Sequence, residues 1–253
     1  MKILSLLTGV ASLFLSGLLQ SAVAGERLQY DVIQASQKQR VTIYVQGSQA
    51  KIVSSADTAS ALIYNADNRQ IHILDHANKS VTTLDQASLE QLASIAQGMG
   101  EFAKSQGGVL GDIFKTMGLD NSMGASSQIE IKTLRGEKQY SGQVCQIQQV
   151  FNDGQLSTQI CLAKDLAMQA KEKNTLDSLL NFAQLMLRQG QVVLAQFSLP
   201  IPLLSEQPLQ GLPVYIEDLS SNTTATLSGF KQMDVSSRQF ALPSGYTRQV
   251  LSL

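Results

Sequence analysis

The chain of 253 residues carries 19 basic and 20 acidic side chains, a formal net charge of −1, and only 15% of its residues are charged. This balance argues against nucleic-acid binding, which depends on clustered lysine and arginine side chains at the phosphate backbone. The two histidines and two cysteines of the whole chain supply few of the ligands that metal centres use. We therefore expect neither a metal nor a cofactor.

Residues 1–24 have the pattern of a cleaved secretory signal peptide. Lys2 precedes an apolar run from Ile3 to Leu19, and Ala22-Val23-Ala24 has the small-x-small form of a cleavage site. The run is short for a membrane span of about 20 residues, so cleavage is favoured over a retained anchor. No later stretch is apolar enough to span a bilayer. We expect residues 25–253 to form a single β-rich domain in the periplasm.

The first part of this domain, residues 28–85, has the pattern of a series of short strands. Val41 to Val45 alternates between apolar and polar side chains, as a half-buried strand does. Clusters of turn-forming residues at 65–68 and 75–79 separate further β-prone stretches. Strands spaced 8 to 12 residues apart with polar turns predict an antiparallel meander.

The next 40 residues change character. Asp85 is expected to cap an amphipathic helix over residues 86–104. Residues 106–127 then combine five glycines with scattered apolar side chains. We interpret them as a loosely packed loop with one short helix around Ile113 to Met117, or else as a mobile lid or a partner-binding segment. The apolar residues of such a lid would be Val109, Leu110, Ile113, Phe114 and Met117.

Residues 141–162 are expected to form a β-hairpin that contains both cysteines. A three-residue loop centred on Asp153, with Gly154 at positive φ, places Cys145 directly opposite Cys161. Opposed strand residues lie within reach of a disulfide, and export would provide an oxidising compartment. The alternative is a redox or metal-binding pair, but redox cysteines usually have C-x-x-C spacing and these do not.

A second helical region is predicted from Lys164, and its main part runs from an N-cap at Asn174 or Thr175 to a stop at Gly190. It is apolar on most of its surface, so it must be buried or must line a groove that holds something apolar. The candidate groove wall comprises Leu176, Leu179, Leu180, Phe182, Ala183, Met186 and Leu187.

The remaining chain is expected to be mostly β. A strand at 191–197 is followed by a proline-stiffened connector at 199–212. A final hairpin at 214–219 and 223–233 turns at 220–222, and a short strand ends the chain.

Two stretches resemble a known group of exported proteins. Residues 61–85, ALIYNADNRQIHILDHANKSVTTLD, and the terminal Phe240-x-Leu242-Pro243-x-Gly245-Tyr246 are similar to the periplasmic LolA/LolB-like lipoprotein-carrier superfamily, or to a related exported bacterial family. The resemblance implies an α+β, mostly β fold. Its curved antiparallel sheet would be a half-open barrel with helices over the concave face.

No residue pattern points to catalysis, and we expect the protein not to be an enzyme. There is no G-x-S-x-G nucleophile elbow. His72 and His76 lie in a strand and the turn after it, a spacing that gives at most a weak metal site. Met117 and Met123 could ligate copper, but loose packing explains them better.

Two functional hypotheses remain. In the first, the curved sheet and the apolar helix enclose a groove for an acyl chain, a lipid, or an apolar peptide or lipoprotein segment. In the second, the core is filled and the protein meets another envelope protein through its surface or a sheet edge.

Overall fold

The computed structural model of this chain describes residues 23–85, 129–163, 168, 170–188 and 211–250. Within these ranges it contains twelve β-strands, the α-helix α1 (Ala170–Arg188) and the 3-10 helix Ser237–Phe240. The strands are β1 (Val23–Gln34), β2 (Gln37–Gln46), β3 (Gln49–Ser54), β4 (Ser60–Asn65), β5 (Gln70–Asp75), β6 (Ser80–Leu84), β7 (Ile129–Tyr140), β8 (Gln143–Asn152), β9 (Gln155–Ala163), β10 (Leu212–Asp218), β11 (Thr223–Val235) and β12 (Thr247–Val250).

All twelve strands belong to one sheet, in the order β12-β6-β5-β4-β3-β2-β1-β11-β10-β9-β8-β7. The first six strands pair with their neighbours in sequence, so the predicted antiparallel meander is confirmed. The predicted final hairpin is also present as β10 and β11. Only β12, which pairs with β6, runs parallel to its neighbour.

The sheet is large, curved and unclosed, and the fold is mostly β, as expected. Its two edges in the described part of the chain are β12 and β7. The N-terminal strand β1 lies in the interior of the sheet, between β2 and β11. Tyr30 of β1 adds a side-chain link, because its buried hydroxyl donates a 2.9 Å hydrogen bond to the carbonyl of Pro213 in β10.

One face of the sheet, here called the helix face, carries α1. Residues that lie opposite each other on antiparallel strands point to the same side. Leu28, Ile43, Ile52 and Leu62 are opposed in this way on β1 to β4, and all four are buried. Burying a side chain of this size contributes roughly 1.5–3 kcal/mol, so this row is a main source of stability.

The opposite face, here called the strap face, is covered by the C-terminal strap, residues 236–246. Phe240 is 4% exposed and packs in a second apolar cluster with Ile63, Leu74 and Val81. Beyond the strap, β12 pairs with β6 and covers its edge. An uncovered edge would offer unpaired backbone groups to other chains.

The turn of the cysteine hairpin differs from the expectation. Asp153 and Gly154 both have positive φ, 50° and 78°, which is the signature of a two-residue type I′ turn. The predicted three-residue loop was therefore wrong. A β-bulge between Val150 and Phe151 then shifts the register by one more residue.

The disulfide forms nevertheless. Ile147, not Cys145, lies directly opposite Cys161. Cys145 is two residues further along on the same face, and the bridge runs diagonally with a Cα–Cα distance of 5.4 Å. The turn and the bulge each shift the register by one residue relative to the prediction, and a total shift of two residues keeps both cysteines on the same face of the hairpin. The prediction that Cys145 lies directly opposite Cys161 was wrong.

Helix α1 begins at Ala170, which lies within the helical region predicted from Lys164, but the predicted N-cap at Asn174 or Thr175 was wrong. Four further predictions concern residues outside the described part of the chain. They are the helix over 86–104, the segment 106–127, the strand 191–197 and the helix stop at Gly190. Among the described helices, none combines the length and apolar character that crossing a bilayer requires.

We predict that Cys145→Ala/Cys161→Ala lowers the free energy of unfolding by about 3 kcal/mol, because the disulfide closes a loop of 15 residues in the unfolded chain. Equilibrium urea denaturation of the oxidised protein and of the double variant measures this difference. Alanine avoids burying new hydroxyl groups at these two positions. A loss below about 1 kcal/mol would show that the bridge adds little constraint.

Candidate functional site

The predicted groove wall lies, as far as it is described, at the contact between α1 and the sheet. Leu176, Leu179 and Phe182 are each 5% exposed and belong to the main core cluster. The ring of Phe182 lies 5.8 Å from the ring of Tyr64 on β4. These three side chains are therefore packed on the helix face.

The rest of the predicted site is only partly described. Leu180 is half-buried on α1. The side chains of Ala183, Met186 and Leu187 lie outside the described residues, as do all the predicted lid residues between 109 and 117. Whether they surround a ligand stays a prediction.

A polar clasp holds the first part of α1 on the turn between β2 and β3. Gly47 has the left-handed φ of 57°, and its N–H donates to Oε1 of Glu172 over 3.1 Å. The hydroxyl of Thr175 donates to the carbonyl of Gly47 over 2.6 Å. Glu172 and Thr175 are 3% and 2% exposed, so these hydrogen bonds are shielded from water, which makes their loss costly.

Sequence reasoning missed this clasp. Positions i and i+3 of a helix lie on one face, so Glu172 and Thr175 would have been found as a polar pair within an otherwise apolar face if the helix had been started at Ala170. The hydroxyl of Thr175 instead suggested an N-cap. Capping and tertiary hydrogen bonding use the same side-chain chemistry, and the sequence alone does not distinguish them.

Further along α1, Tyr64 makes a polar contact inside the helix–sheet interface. Its hydroxyl lies 2.7 Å from Oγ of Ser178. Burial of the ring raises the pKa of Tyr64 above its usual value, while the Ser178 hydrogen bond opposes that shift. The phenol therefore stays protonated at neutral pH and can donate.

The two histidines contact different partners. Nδ1 of His72 lies 2.9 Å from Oγ1 of Thr83, and burial lowers the pKa of His72, with a further contribution from Arg248. Nδ1 of His76 lies 2.8 Å from the hydroxyl of Tyr246 at the end of the strap. No group of three metal-binding side chains occurs among the described residues.

A stacked tyrosine pair lies next to the disulfide and packs against the main core cluster. The rings of Tyr140 and Tyr215 are 4.2 Å apart and nearly parallel, at 8°. Tyr215 is directly opposite Cys161 on the neighbouring strand. Burial, followed by the charge of Glu217, raises the pKa of Tyr215 to about 12.

Strand β7 forms an exposed edge of the sheet. Its described side chains from 130 to 140 are exposed apart from Ile131 and Tyr140, which are half-buried. An irregularity between Thr133 and Glu137 includes Gly136 with φ of 92°. Charged side chains and such irregularities protect a sheet edge against indiscriminate pairing.

Neither a protein-family model nor a curated protein matches this sequence. Solved structures do match. PNGF-II has a TM-score of 0.41 and 8% sequence identity, and the match covers 90% of this chain and 31% of PNGF-II. MucB has a TM-score of 0.39 and 8% identity, with 88% of this chain and 58% of MucB covered, and the Pseudomonas aeruginosa MucA/MucB complex has a TM-score of 0.40 and 9% identity, with 91% of this chain and 59% of the matched chain covered. This chain thus spans between about a third and three fifths of those chains. Such TM-scores are too low to assign a function.

We predict that Thr175→Val lowers the free energy of unfolding by about 1–3 kcal/mol, because the buried carbonyl of Gly47 loses its donor while the shape of the side chain is kept. Thr175→Ser, which retains the hydroxyl, is the matched control and should lose less. Hydrogen exchange should show faster opening of α1 in the valine variant. A larger loss in Thr175→Ser than in Thr175→Val would show that the methyl group, not the hydrogen bond, matters.

Proposed function

We propose that this protein is a non-catalytic binding protein of the cell envelope, which holds an apolar segment against the helix face of its curved sheet. The segment would be an acyl chain, a lipid or part of a lipoprotein. The observation that supports the proposal is the extent of the apolar helix face. It continues across the sheet from Ile71 on β5 to Ile160 on β9, while the described contacts of α1 are chiefly with β2 and β3.

The disulfide supports the location. A bridge between Cys145 and Cys161 persists in oxidising compartments such as the periplasm. The signal peptide over residues 1–24, which would direct the chain there, remains a prediction. Both features suit a protein that meets lipids or lipoproteins between two membranes.

Burial of hydrocarbon would provide the affinity. Each methylene group removed from water contributes about 0.8 kcal/mol, so ten of them provide ~8 kcal/mol before the costs of association. Because Ile71 and Ile160 at the two ends of the helix face are as fully buried as the α1 side chains, an acyl chain can lie on this face only by displacing the groups that now cover it. The clasp at Gly47 holds the first turns of α1, so a change in helix position would pivot there.

Native mass spectrometry tests the proposal. The protein is purified without detergent from the compartment in which it resides and is sprayed intact. We expect an added mass that solvent extraction identifies as a lipid or acylated peptide. A spectrum of the bare oxidised chain, even after incubation with lipid vesicles, would contradict the proposal.

A pair of helix variants locates the ligand. Leu180→Asp places a charge on a half-buried position of α1, and we predict that it reduces lipid uptake at least about tenfold, since a charge is expensive to bury. Asn181→Asp, at the neighbouring exposed position, adds the same charge and should leave uptake unchanged. Uptake of a fluorescent fatty acid measures both, with circular dichroism as the check on folding. Equal uptake by folded Leu180→Asp would show that this part of α1 is not the wall.

The exposed edge of β7 favours a second candidate function, which is docking of a protein partner by strand addition. A photo-crosslinking residue at Lys132 on β7, compared with one at Asn181 on α1, would test this in cells. A partner captured only from position 132 would support edge docking.

A further inference from the structure

The C-terminal strand β12 is held at the edge of the sheet by few contacts. It pairs with β6 over the four residues from Thr247 to Val250. The backbone N–H of Thr247 also donates a 2.9 Å hydrogen bond to the carbonyl of Lys79, in the turn before β6. A short strand at an edge opens more readily than an interior strand such as β1. The attachment of β12 is therefore suited to reversible release.

Both histidines of the chain meet the segment that carries β12. The chain contains two, His72 on β5 and His76 in the turn after it. Nδ1 of His76 lies 2.8 Å from the hydroxyl of Tyr246, and the two rings make an edge-on contact at 5.8 Å and 78°. His72 interacts electrostatically with Arg248 on β12 itself. The side-chain type that ordinarily titrates between pH 5 and 8 thus occurs only beside the C-terminal segment.

The strand register explains why His72 and Arg248 interact. His72 lies opposite Thr83 on β6. Leu74, two residues further along β5, lies opposite Val81, and Val81 pairs with Arg248 on β12. Paired residues on neighbouring strands, and residues two apart on one strand, point to the same side of a sheet. His72 and Arg248 are therefore both on the strap face, with one strand between them.

The surroundings of His72 favour the neutral imidazole. Burial is the larger cause that lowers the pKa of His72, and the charge of Arg248 adds to it. On β6, Nδ1 of His72 lies 2.9 Å from the uncharged hydroxyl of Thr83. On β4 the opposite residue is Ile63, and beyond it Lys51 of β3 is a further cation in the same row. A proton on His72 would therefore meet a cation on β12 and no carboxylate in its own row.

Two carboxylates lie at the ends of β5 and β6 without offsetting this charge. Asp75 is three residues along β5 from His72, so its side chain starts on the opposite side of the strand. It accepts hydrogen bonds from the backbone N–H and the side-chain amide of Asn78, at 2.9 and 2.7 Å. Asp85 directly follows β6, is half-buried and takes part in an interaction of its own. Among the described charged groups, Arg248 alone acts on the pKa of His72.

We propose that protonation of His72 releases β12 from β6, so that acid exposes the outer edge of β6. The imidazolium of His72 and the guanidinium of Arg248 repel each other across β6, and release of β12 ends the repulsion. His76 holds Tyr246 in either charge state, since its Nδ1 can accept from a hydroxyl or donate to it. The released edge offers unpaired backbone groups to a partner strand. This device lies on the strap face and does not depend on an apolar ligand on the helix face.

The direction of the pH dependence follows from linkage. Because Arg248 lowers the pKa of His72, the open state, which Arg248 has left, binds a proton more tightly than the closed state. The closed state is therefore most favoured above the pKa that His72 has when β12 is open. It loses stability as the pH falls from there to the lower pKa of the closed state, and no further below that.

Amide hydrogen exchange of the full domain, measured by NMR at about pH 7.5 and about pH 5.5, tests the proposal. After correction for the intrinsic exchange rate, we expect the protection of the Thr247 amide to fall at least about twofold at the lower pH. The amides of β1, in the interior of the sheet, report global unfolding and should lose less. Equal protection of Thr247 at both pH values, or an equal loss in β1, would overturn the proposal.

Three variants assign the effect to particular charges. His72→Gln and Arg248→Gln should each abolish the pH dependence at Thr247, because each lacks one of the two repelling groups. In Arg248→Gln the pKa of His72, followed by side-chain NMR, should also rise. Lys79→Gln removes an exposed cation from the turn next to β12 and should leave the pH dependence unchanged. Persistence of the effect in either of the first two variants, or its loss in Lys79→Gln, would overturn the assignment.

Discussion

The pairing of β1 with β11 is the constraint on which the rest of the structure depends. It joins the N-terminal meander to the strands of the C-terminal half, and it brings together residues about 200 positions apart, such as Leu28 and Phe230. Closing so long a loop costs conformational entropy before any contact stabilises the chain. The continuous apolar helix face exists only once this pairing has formed, because Leu28 on β1 and Leu227 on β11 both belong to it.

The two faces of the sheet suit different chemistry. On the helix face, the clasp at Gly47 and the contact between Tyr64 and Ser178 join polar groups of α1 to the sheet. On the strap face, residues of β2, β3 and β4 line a concavity whose exposed surface is chiefly apolar.

The sequence predicted the elements of this fold better than their exact pairing. Turn residues and alternating strands gave the meander, since both are local properties. The loop at Asp153 was misjudged because Asn152 was counted in the turn, whereas it pairs with Gln155. The residue types around the bulge at Val150 do not predict a bulge there. The N-cap of the main part of α1 was misplaced because Thr175 contacts Gly47, which is 128 positions away in the chain. The concavity at Arg40 joins residues from three strands and two connections, and no local pattern reveals it.

The parallel pairing of β12 with β6 has a consequence for the order in which the chain is made. Ser80 to Thr83 are synthesised well before residues 247–250, which form the strand that pairs with them. Until then the edge of β6 and the apolar cluster around Ile63 lack their cover. A translation product that stops before the strap would thus display a β-prone edge beside an apolar patch, which is what proteases and holdase chaperones recognise.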